Sequence, residues 1–294
     1  MKRITFVAIF LLLLVLASCA QENKTGDEFD LGALVTEANT ASLQTTPEEK
    51  VETVIVFDGE KAEIDGEGAE LDDDGYLYIT KGGEYTFSGT FNHGIIVDVT
   101  KEHKAELILD GVNIYNKEGA AIYIKSADKA IITLGNGTEN SMLDGESYCY
   151  DDEAEPSACI YSADDLEIGG AGSLEIYAKC RNGIQSKNDI DIEGGNITVT
   201  APKNAIKGKD SVYICGGNIE IVNCKDGIKS DNEKEEGRGK VTVCGGNIYI
   251  NCQDDGIQAY RSIDIRDASL EIIAGDDKLN CDKEISVAEG CIKE

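Results

Sequence analysis

Two consecutive 22-residue stretches of this chain are close copies of each other: residues 181–202 read RNGIQSKNDIDIEGGNITVTAP, and residues 203–224 read KNAIKGKDSVYICGGNIEIVNC. Related copies begin at residues 157, 225 and 254, the copy at 225 carries a charged insert around residues 232–238, and a further copy begins at 276. An apolar anchor recurs at the same place in each copy: Ile160, Ile184, Ile206, Ile228, Ile257 and Leu279. A fixed period of this length indicates an architecture of stacked repeats.

Each copy contains two short strand patterns separated by a turn. Residues 189–192 (DIDI) and 197–200 (ITVT) alternate apolar and polar side chains, and Gly194, Gly195 and Asn196 between them are typical turn residues. Such strands are too short to bury their own apolar side, so neighbouring copies must stack in register, about 4.8 Å apart. We predict an all-β fold, a right-handed single-stranded parallel β-helix of about 22 residues per turn, with regular coils over 157–282.

Strand patterns also precede the regular copies and begin at Val51. Residues 53–57, 76–80 and 85–90 are strand-like but do not follow the period. The open end of a stacked fold invites edge pairing unless it is covered. We therefore predict an irregular N-terminal β cap, and a single β-helix domain over residues 51–294.

The first 50 residues have the features of a targeting segment followed by a tether. Lys2 and Arg3 precede an apolar run at 4–16 that is shorter than the roughly 20 residues needed to span a bilayer. Residues 16–19 (LASC) resemble the lipobox of bacterial lipoproteins, in which the cysteine is acylated. We predict a lipoprotein signal peptide at 1–18, lipidation of Cys19 and a flexible tether at 19–50, which place the domain outside the cytoplasm on a bacterial membrane. The alternative is an ordinary cleaved signal with an accidental cysteine.

Composition excludes some partners and activities. With 27 Lys and Arg against 56 Asp and Glu, the formal net charge is −29, which argues against nucleic acid and leaves cations or neutral molecules as ligands. His93 and His103 lie outside the repeats, and the sequence has no Ser-His-Asp, HExxH, phosphate-loop or zinc-spacing pattern. We therefore predict a protein that is not an enzyme.

Four phrases outside and inside the repeats resemble a family of bacterial exported carbohydrate-binding domains. They are residues 82–90 (GGEYTFSGT), 107–114 (LILDGVNI), 134–140 (LGNGTEN) and 226–232 (DGIKSDN), and the repeated GGNI belongs with them. The resemblance covers roughly residues 52 to 280. It implies a parallel β-helix similar to that of polysaccharide lyases, bound calcium, and association with cellulose and acidic-sugar polymers.

The period also places charged residues in rows along the stack. Arg181, Lys203, Lys225, Asp254 and Asp276 occupy one position of consecutive copies, and Lys207 and Lys229 follow the anchors. We predict that the basic members bind sugar carboxylates and that Tyr213 and Tyr249 stack on sugar rings. The alternative for the lysines is that they are ordinary solvated residues.

The acidic end of the same edge predicts a calcium site. Asp254 and Asp255 recur as Asp276 and Asp277 one copy later, and Asp226 lies one copy earlier. Carboxylates about 4.8 Å apart repel each other, and a hard divalent cation removes this repulsion by taking oxygen ligands. Side-chain carbonyls at 258 and 280 are expected to add ligands. The alternative is that these aspartates cap turn amides while facing water.

Three features are open to more than one interpretation. The acidic segment 139–156 is either a binding loop or an acidic surface loop without a binding role.

Nine cysteines remain besides Cys19, and Cys149 with Cys159 is a better candidate disulfide than Cys215 with Cys244, because parallel in-register side chains do not readily reach disulfide geometry. Free thiols are an equal alternative. The recurring Asn196, Asn218 and Asn247 favour a structural amide ladder.

These observations leave three classes of function. The first is a lipid-anchored, extracytoplasmic, non-catalytic binder of cellulose-like or acidic polysaccharide, stabilised by calcium. The second is a calcium-dependent polysaccharide lyase, in which Arg181, Lys207 or Lys229 removes the α-proton of a uronate. The third is a structural or adhesive surface protein with the stack as a spacer.

Overall fold

The structure is a computed structural model that describes residues 51–148 and 156–293. The predicted signal peptide, Cys19 and tether lie outside these residues. Strands and turns make up the described chain, in which no helix has the length and apolarity needed to cross a membrane.

The strands before the undescribed segment are β1 (Val51–Gly59), β2 (Lys61–Asp65), β3 (Ala69–Leu71), β4 (Leu77–Ile79), β5 (Gly83–Phe91), β6 (Ile95–Asp98), β7 (Ala105–Tyr115), β8 (Ile122–Ser126), β9 (Lys129–Leu134) and β10 (Glu139–Leu143). Those after it are β11 (Ala158–Ser162), β12 (Asp165–Gly170), β13 (Ser173–Tyr177), β14 (Asn182–Ser186), β15 (Asp189–Ile192), β16 (Asn196–Thr200), β17 (Ile206–Gly208), β18 (Ser211–Cys224), β19 (Ile228–Ser230), β20 (Lys240–Cys252), β21 (Ile257–Ala259), β22 (Ser262–Ile265), β23 (Ser269–Ile273), β24 (Leu279–Cys281) and β25 (Glu284–Val287).

The predicted stacking of equivalent anchors is confirmed. In a ten-stranded sheet ordered β24-β21-β19-β17-β14-β11-β8-β6-β4-β3, Ile184 pairs with Ile206, Ile206 with Ile228, and Ile228 with Ile257, all in parallel register. These isoleucines are fully buried. The period therefore specifies correctly which residues are neighbours along the stack.

The predicted fold class is wrong. In a second sheet of fifteen strands, eight parallel strands close into a ring, in the order β10-β13-β16-β18-β15-β12-β9-β7, because β7 pairs again with β10. The fold is all-β with a closed eight-strand parallel barrel plus extra strands, and not a single-stranded right-handed parallel β-helix.

The ring closes because two strands are longer than the repeat pattern suggests. β18 continues through Gly216 and Gly217, and its first part pairs with β15 whereas its second part pairs with β16. β7 similarly pairs with β9 and then with β10. A repeat specifies which side chains stack, but not whether the backbone continues as one strand through a Gly-Gly bend.

At the N-terminal end, the pairs β1–β2 and β3–β4 are antiparallel, whereas the repeat strands pair in parallel. Alternate residues of the repeat strands point into one continuous apolar core rich in isoleucine, valine and leucine. The polar residues between them point outward, so the function of the chain depends on its outer faces and corners.

Candidate carbohydrate and metal sites

The predicted row of charged residues exists as a corner of the stack, here called the charged edge: Arg181, Lys203, Lys225, Asp254 and Asp276, with the residues that follow each of them. Backbone amides connect the row. The N–H groups of Lys203, Lys225 and Asp254 each donate to the carbonyl of the preceding member at 2.8 Å, and Asp276 donates to Asp254 at 3.1 Å. The sequence therefore places these residues correctly relative to one another.

Three of the predicted carbohydrate-binding lysines are engaged by aspartates. Lys225 Nζ lies 2.7 Å from Asp254 Oδ2, and Lys229 Nζ lies 3.3 Å from Asp226 Oδ2. Lys207 Nζ lies 2.6 Å from an aspartate of the charged insert at position 231. A polyanion would have to compete with these carboxylates.

The other two basic residues of the edge are available to solvent. Arg181 and Lys203 are exposed, and neither forms an ion pair with a described residue. Arg181 has a backbone φ of 66°, a conformation that is uncommon for a residue with a side chain. The free cationic charge of the edge is therefore concentrated at these two positions.

Three of the five predicted calcium ligands converge. One carboxylate oxygen from each of Asp254, Asp255 and Asp276 lies within 4.8 Å of the others. Asp255 is only 4% exposed, and its Oδ2 accepts hydrogen bonds from the side-chain amides of Gln258 at 3.0 Å and Asn280 at 2.8 Å. These two amides therefore donate to the cluster, where the sequence suggested that they would offer carbonyl oxygens.

The remaining two predicted ligands are placed differently. Asp277 is exposed, and its backbone N–H lies 3.4 Å from Asp255 Oδ1. Asp226 is 2% exposed, and its buried Oδ1 accepts no hydrogen bond, although Lys225 Nζ lies 3.6 Å away; Oε1 of Gln258 is also buried without a hydrogen-bond partner. Buried acceptor oxygens beside clustered carboxylates are the donor set that a hard cation prefers, so the residues present fit calcium.

Lys225 changes the electrostatics of this cluster. Its hydrogen bond and its positive charge lower the pKa of Asp254, and the same hydrogen bond, together with the charge of Asp226, raises the pKa of Lys225. The compensating base thus comes from the preceding member of the same row. A lysine already neutralises part of the negative charge that a metal would remove.

The two predicted tyrosines lie on different faces. Tyr213 is 38% exposed on the first part of β18, where it pairs with Asp191 and Thr242. Tyr249 lies beyond the Gly-Gly bend of β20, where it pairs with Glu220. The outward direction of both side chains is as predicted, but they do not form one platform with the charged edge.

Sequence reasoning missed a groove, although the predicted ladder of Asn196, Asn218 and Asn247 within it is confirmed by hydrogen bonds between their side-chain amides. It runs over the outer side of β10, β13, β16, β23 and the second parts of β18 and β20, here called the groove face. Its first row, the amide row, consists of Glu139, Ser173, Asn196, Asn218, Asn247 and Ser269. Its second row, the carboxylate row, consists of Ser141, Glu175, Thr198, Glu220, Tyr249 and Glu271. The alternation of outward residues, read across copies, was the signal that could have revealed both rows.

The cysteines also differ from the prediction. Cys215 and Cys244 form a disulfide with Cα atoms 4.6 Å apart, whereas Cys159 is a buried free thiol and Cys149 lies outside the described residues. The register between β18 and β20 shifts at this point, so that Cys215 faces Gly245 and not its equivalent cysteine. The two cysteines are thus not parallel in-register neighbours, which was the reason for doubting their bond.

The acidic segment 139–156 begins as a strand and not as a loop, because Glu139–Leu143 is β10. Asp144 follows it in a buried position and accepts hydrogen bonds from the backbone N–H of Lys179 and from the Tyr148 hydroxyl. Burial raises the pKa of Asp144. The acidic residues at 151–155 lie outside the described chain.

Comparison with solved structures identifies the class of fold to which this chain belongs. A solved structure described as the polysaccharide lyase-like protein from C. thermocellum, gadolinium derivative, superposes with a TM-score of 0.80 and 45% sequence identity, covering 82% of this chain and 99% of that chain. The fold is therefore polysaccharide lyase-like.

The family is shown by the sequence match. Residues 73–293 match the model of the carbohydrate-binding domain-containing proteins, and this chain belongs to that family. A carbohydrate-binding domain-containing protein of Acetivibrio thermocellus is 48% identical over 154 residues, which are 51% of this chain and 54% of the relative. The matched region thus spans about half the length of that curated relative.

Proposed function

We propose that this chain is a lipid-anchored, extracytoplasmic protein that binds polysaccharide without cleaving it, and that calcium stabilises it. Membership of the carbohydrate-binding family is the observation that carries the proposal. The lipobox at residues 16–19 supports anchoring through Cys19 to a bacterial membrane. Replacing Cys19 with Ser should release the protein from the membrane fraction, and unchanged partitioning into detergent would contradict acylation.

The charged edge supports acidic polymers as one class of ligand. Arg181 and Lys203 present two adjacent cationic side chains on consecutive copies, about 4.8 Å apart along the stack. A polymer of uronic acids carries regularly repeated carboxylates, so a row of cations can pair with several of them. Calcium at the Asp254, Asp255 and Asp276 cluster would offset most of its negative charge and so reduce the repulsion of a uronate at that end of the edge.

Retention of the full chain in a gel containing polygalacturonate tests this. The double substitution Arg181→Glu with Lys203→Glu should abolish retention, whereas Lys209→Glu with Lys234→Glu, which reverses two exposed charges elsewhere, should reduce it only slightly. Equal retention of both variants would contradict the location. Absence of binding by the parent protein to any glycan would favour the structural or adhesive alternative.

The calcium part of the proposal has a separate test. Thermal unfolding of the parent should shift upward in excess calcium relative to a chelator, because a ligand that binds the folded state stabilises it. Asp255→Asn combined with Asp276→Asn should remove the shift. No shift in the parent, or the same shift in the double variant, would contradict this site.

A calcium-dependent lyase is the second candidate, favoured by the polysaccharide lyase-like structure found in the comparison. Of the three candidate bases, Lys207 and Lys229 are held in ion pairs with aspartates, which opposes proton abstraction, whereas Arg181 is exposed and has no ion pair with a described residue. Formation of an unsaturated product, measured by its ultraviolet absorbance with polygalacturonate and calcium, would replace the non-catalytic proposal with this one.

A further inference from the structure

The groove face contains two adjoining cavities. The larger, of about 460 Å³, lies over β16, β18, β20 and β23, and the smaller, of about 380 Å³, lies over β10, β13 and β16. Asn196 and Thr198 line both, so that the cavities form one shallow groove across neighbouring strands. With strands about 4.8 Å apart, the six strands from β10 to β23 span about 24 Å, which is enough for several sugar units.

The amide row offers hydrogen-bonding groups that remain available. Asn218 Nδ2 donates to Asn196 Oδ1 at 2.8 Å, and Asn247 Nδ2 donates to Asn218 Oδ1 at 3.0 Å. These bonds align the three amides, yet each side-chain amide has two donors and two acceptor sites. Because all three asparagines are exposed, the unused groups point to solvent in a fixed orientation.

The carboxylate row combines acceptors with an aromatic ring. Glu175, Glu220 and Glu271 are exposed, and Tyr249 lies between the last two in the row. Carboxylates are strong acceptors for hydroxyl donors, and a half-buried tyrosine offers a ring held in place by its neighbours. Beyond this row, Tyr177 and Ile273 are 52% and 49% exposed and add apolar surface to the same face.

The charge of the groove selects among glycans. Four glutamates line it, Glu139, Glu175, Glu220 and Glu271, and Lys293 is the cation in the lining of the larger cavity. A uronate polymer would bring further negative charge against Glu220 and Glu271, and like charges brought together without compensation repel. An uncharged chain rich in hydroxyl groups meets no such cost and can use both rows.

We infer that the groove face is a second glycan-binding site, separate from the charged edge, and that it takes uncharged hydroxyl-rich polysaccharide. A sugar chain lies across β10 to β23, with its hydroxyls bonded to the amide row and to the glutamates, and with a ring against Tyr249. The inference rests on the proposed carbohydrate-binding function. It adds the location and the selectivity for neutral chains.

Gel retention of the full chain distinguishes the two sites, with hydroxyethyl cellulose as the uncharged polymer and polygalacturonate as the charged one. Tyr249→Ala and Glu220→Ala should each weaken binding to hydroxyethyl cellulose about tenfold, the loss of one good contact. Tyr78→Ala, at a partly exposed tyrosine of β4 in the other sheet, is the matched control and should bind as the parent does. The edge substitutions at Arg181 and Lys203 should leave hydroxyethyl cellulose binding intact.

Glu220→Lys provides a second measurement that does not depend on loss of binding. Glu220 is exposed, so the variant should fold, and it should gain retention on polygalacturonate while losing it on hydroxyethyl cellulose. If the parent binds hydroxyethyl cellulose and Tyr249→Ala and Glu220→Ala bind equally well, the groove inference is overturned and the proposed function survives. If the parent binds neither polymer, both fail together.

Discussion

The charged edge and the groove face are built from the same repeats but are held together in different ways. The edge is stabilised by ion pairs, such as those of Lys225 with Asp254 and Lys229 with Asp226. The groove face lies beside glycine bends and a disulfide, because Cys215 and Cys244 each precede a Gly-Gly bend and an asparagine of the amide row. We therefore expect the edge to respond to charge and pH, and the groove to respond to backbone and redox changes.

Removal of the disulfide should have the largest effect. The bond closes a loop of 29 residues, and in the chain-entropy model such a bond contributes about 3.6 kcal/mol to the free energy of unfolding. Cys215→Ala with Cys244→Ala should lose about that amount in urea unfolding and weaken binding at the groove. Cys281→Ala, which alters a free thiol, is the control. Equal stability of the double variant and the parent would show that the bond does not constrain the unfolded chain.

Two glycine substitutions distinguish the stability cost of a steric contact from the cost of a positive φ alone. Gly217 has a φ of +88°, and a Cβ added there would lie 2.8 Å from the carbonyl oxygen of Gly195. Gly217→Ala should therefore cost about 3 kcal/mol of unfolding free energy. Gly237 has a similar φ of +84° with nothing within 4 Å, so Gly237→Ala should cost only about 1 kcal/mol. Similar losses, measured by denaturant unfolding, would mean that the Gly-Gly bend is not tightly packed.

On the edge, the buried aspartate should matter more than the exposed one. Asp226→Asn leaves the ammonium of Lys229 without its carboxylate, and because this lysine still reaches solvent we expect a loss of about 2 kcal/mol. Asp231→Asn breaks the more exposed pair with Lys207 and should cost less than about 1 kcal/mol. Both are measured by thermal unfolding in a chelator, so that any bound calcium does not contribute. The reverse order would contradict the ion-pair explanation.

The sequence predicts the edge better than the groove, for a physical reason. The anchor offset is conserved through the stack, so the row from Arg181 to Asp276 could be derived by counting. The ion pairs of this row could not be derived by counting. Asp231, the partner of Lys207, belongs to a separate charged insert, and the side-chain directions of Lys225 and Lys229 depend on packing.

The limits of the fold prediction have the same origin. Alternation showed that Tyr213 and Tyr249 point outward, but the Gly-Gly bend between their positions in the repeat turns them to different faces. The register shift at Cys215 and the continuation of β18 past the bend are also decided by local backbone geometry. These two features explain both the unexpected disulfide and the closed ring of strands.

The smallest effect concerns the protonation of Asp254. Because Lys225 donates a hydrogen bond to it and is positively charged, the pKa of Asp254 in the folded protein lies below the usual value of about 3.9. As the pH falls, the unfolded chain therefore takes up this proton before the folded one does. The stabilisation from the pair is fully present above the usual pKa of aspartate and is lost as the pH falls through the lower folded-state pKa.

Carboxyl carbon NMR titration of Asp254 in a chelator measures this directly, and Lys225→Met should return its pKa toward the usual value. Added calcium should lower the pKa of Asp254 further if the cluster binds the ion, because the metal-bound carboxylate must be deprotonated. An ordinary pKa for Asp254 in the parent would show that its ion pair with Lys225 is too weak to stabilise the charged edge.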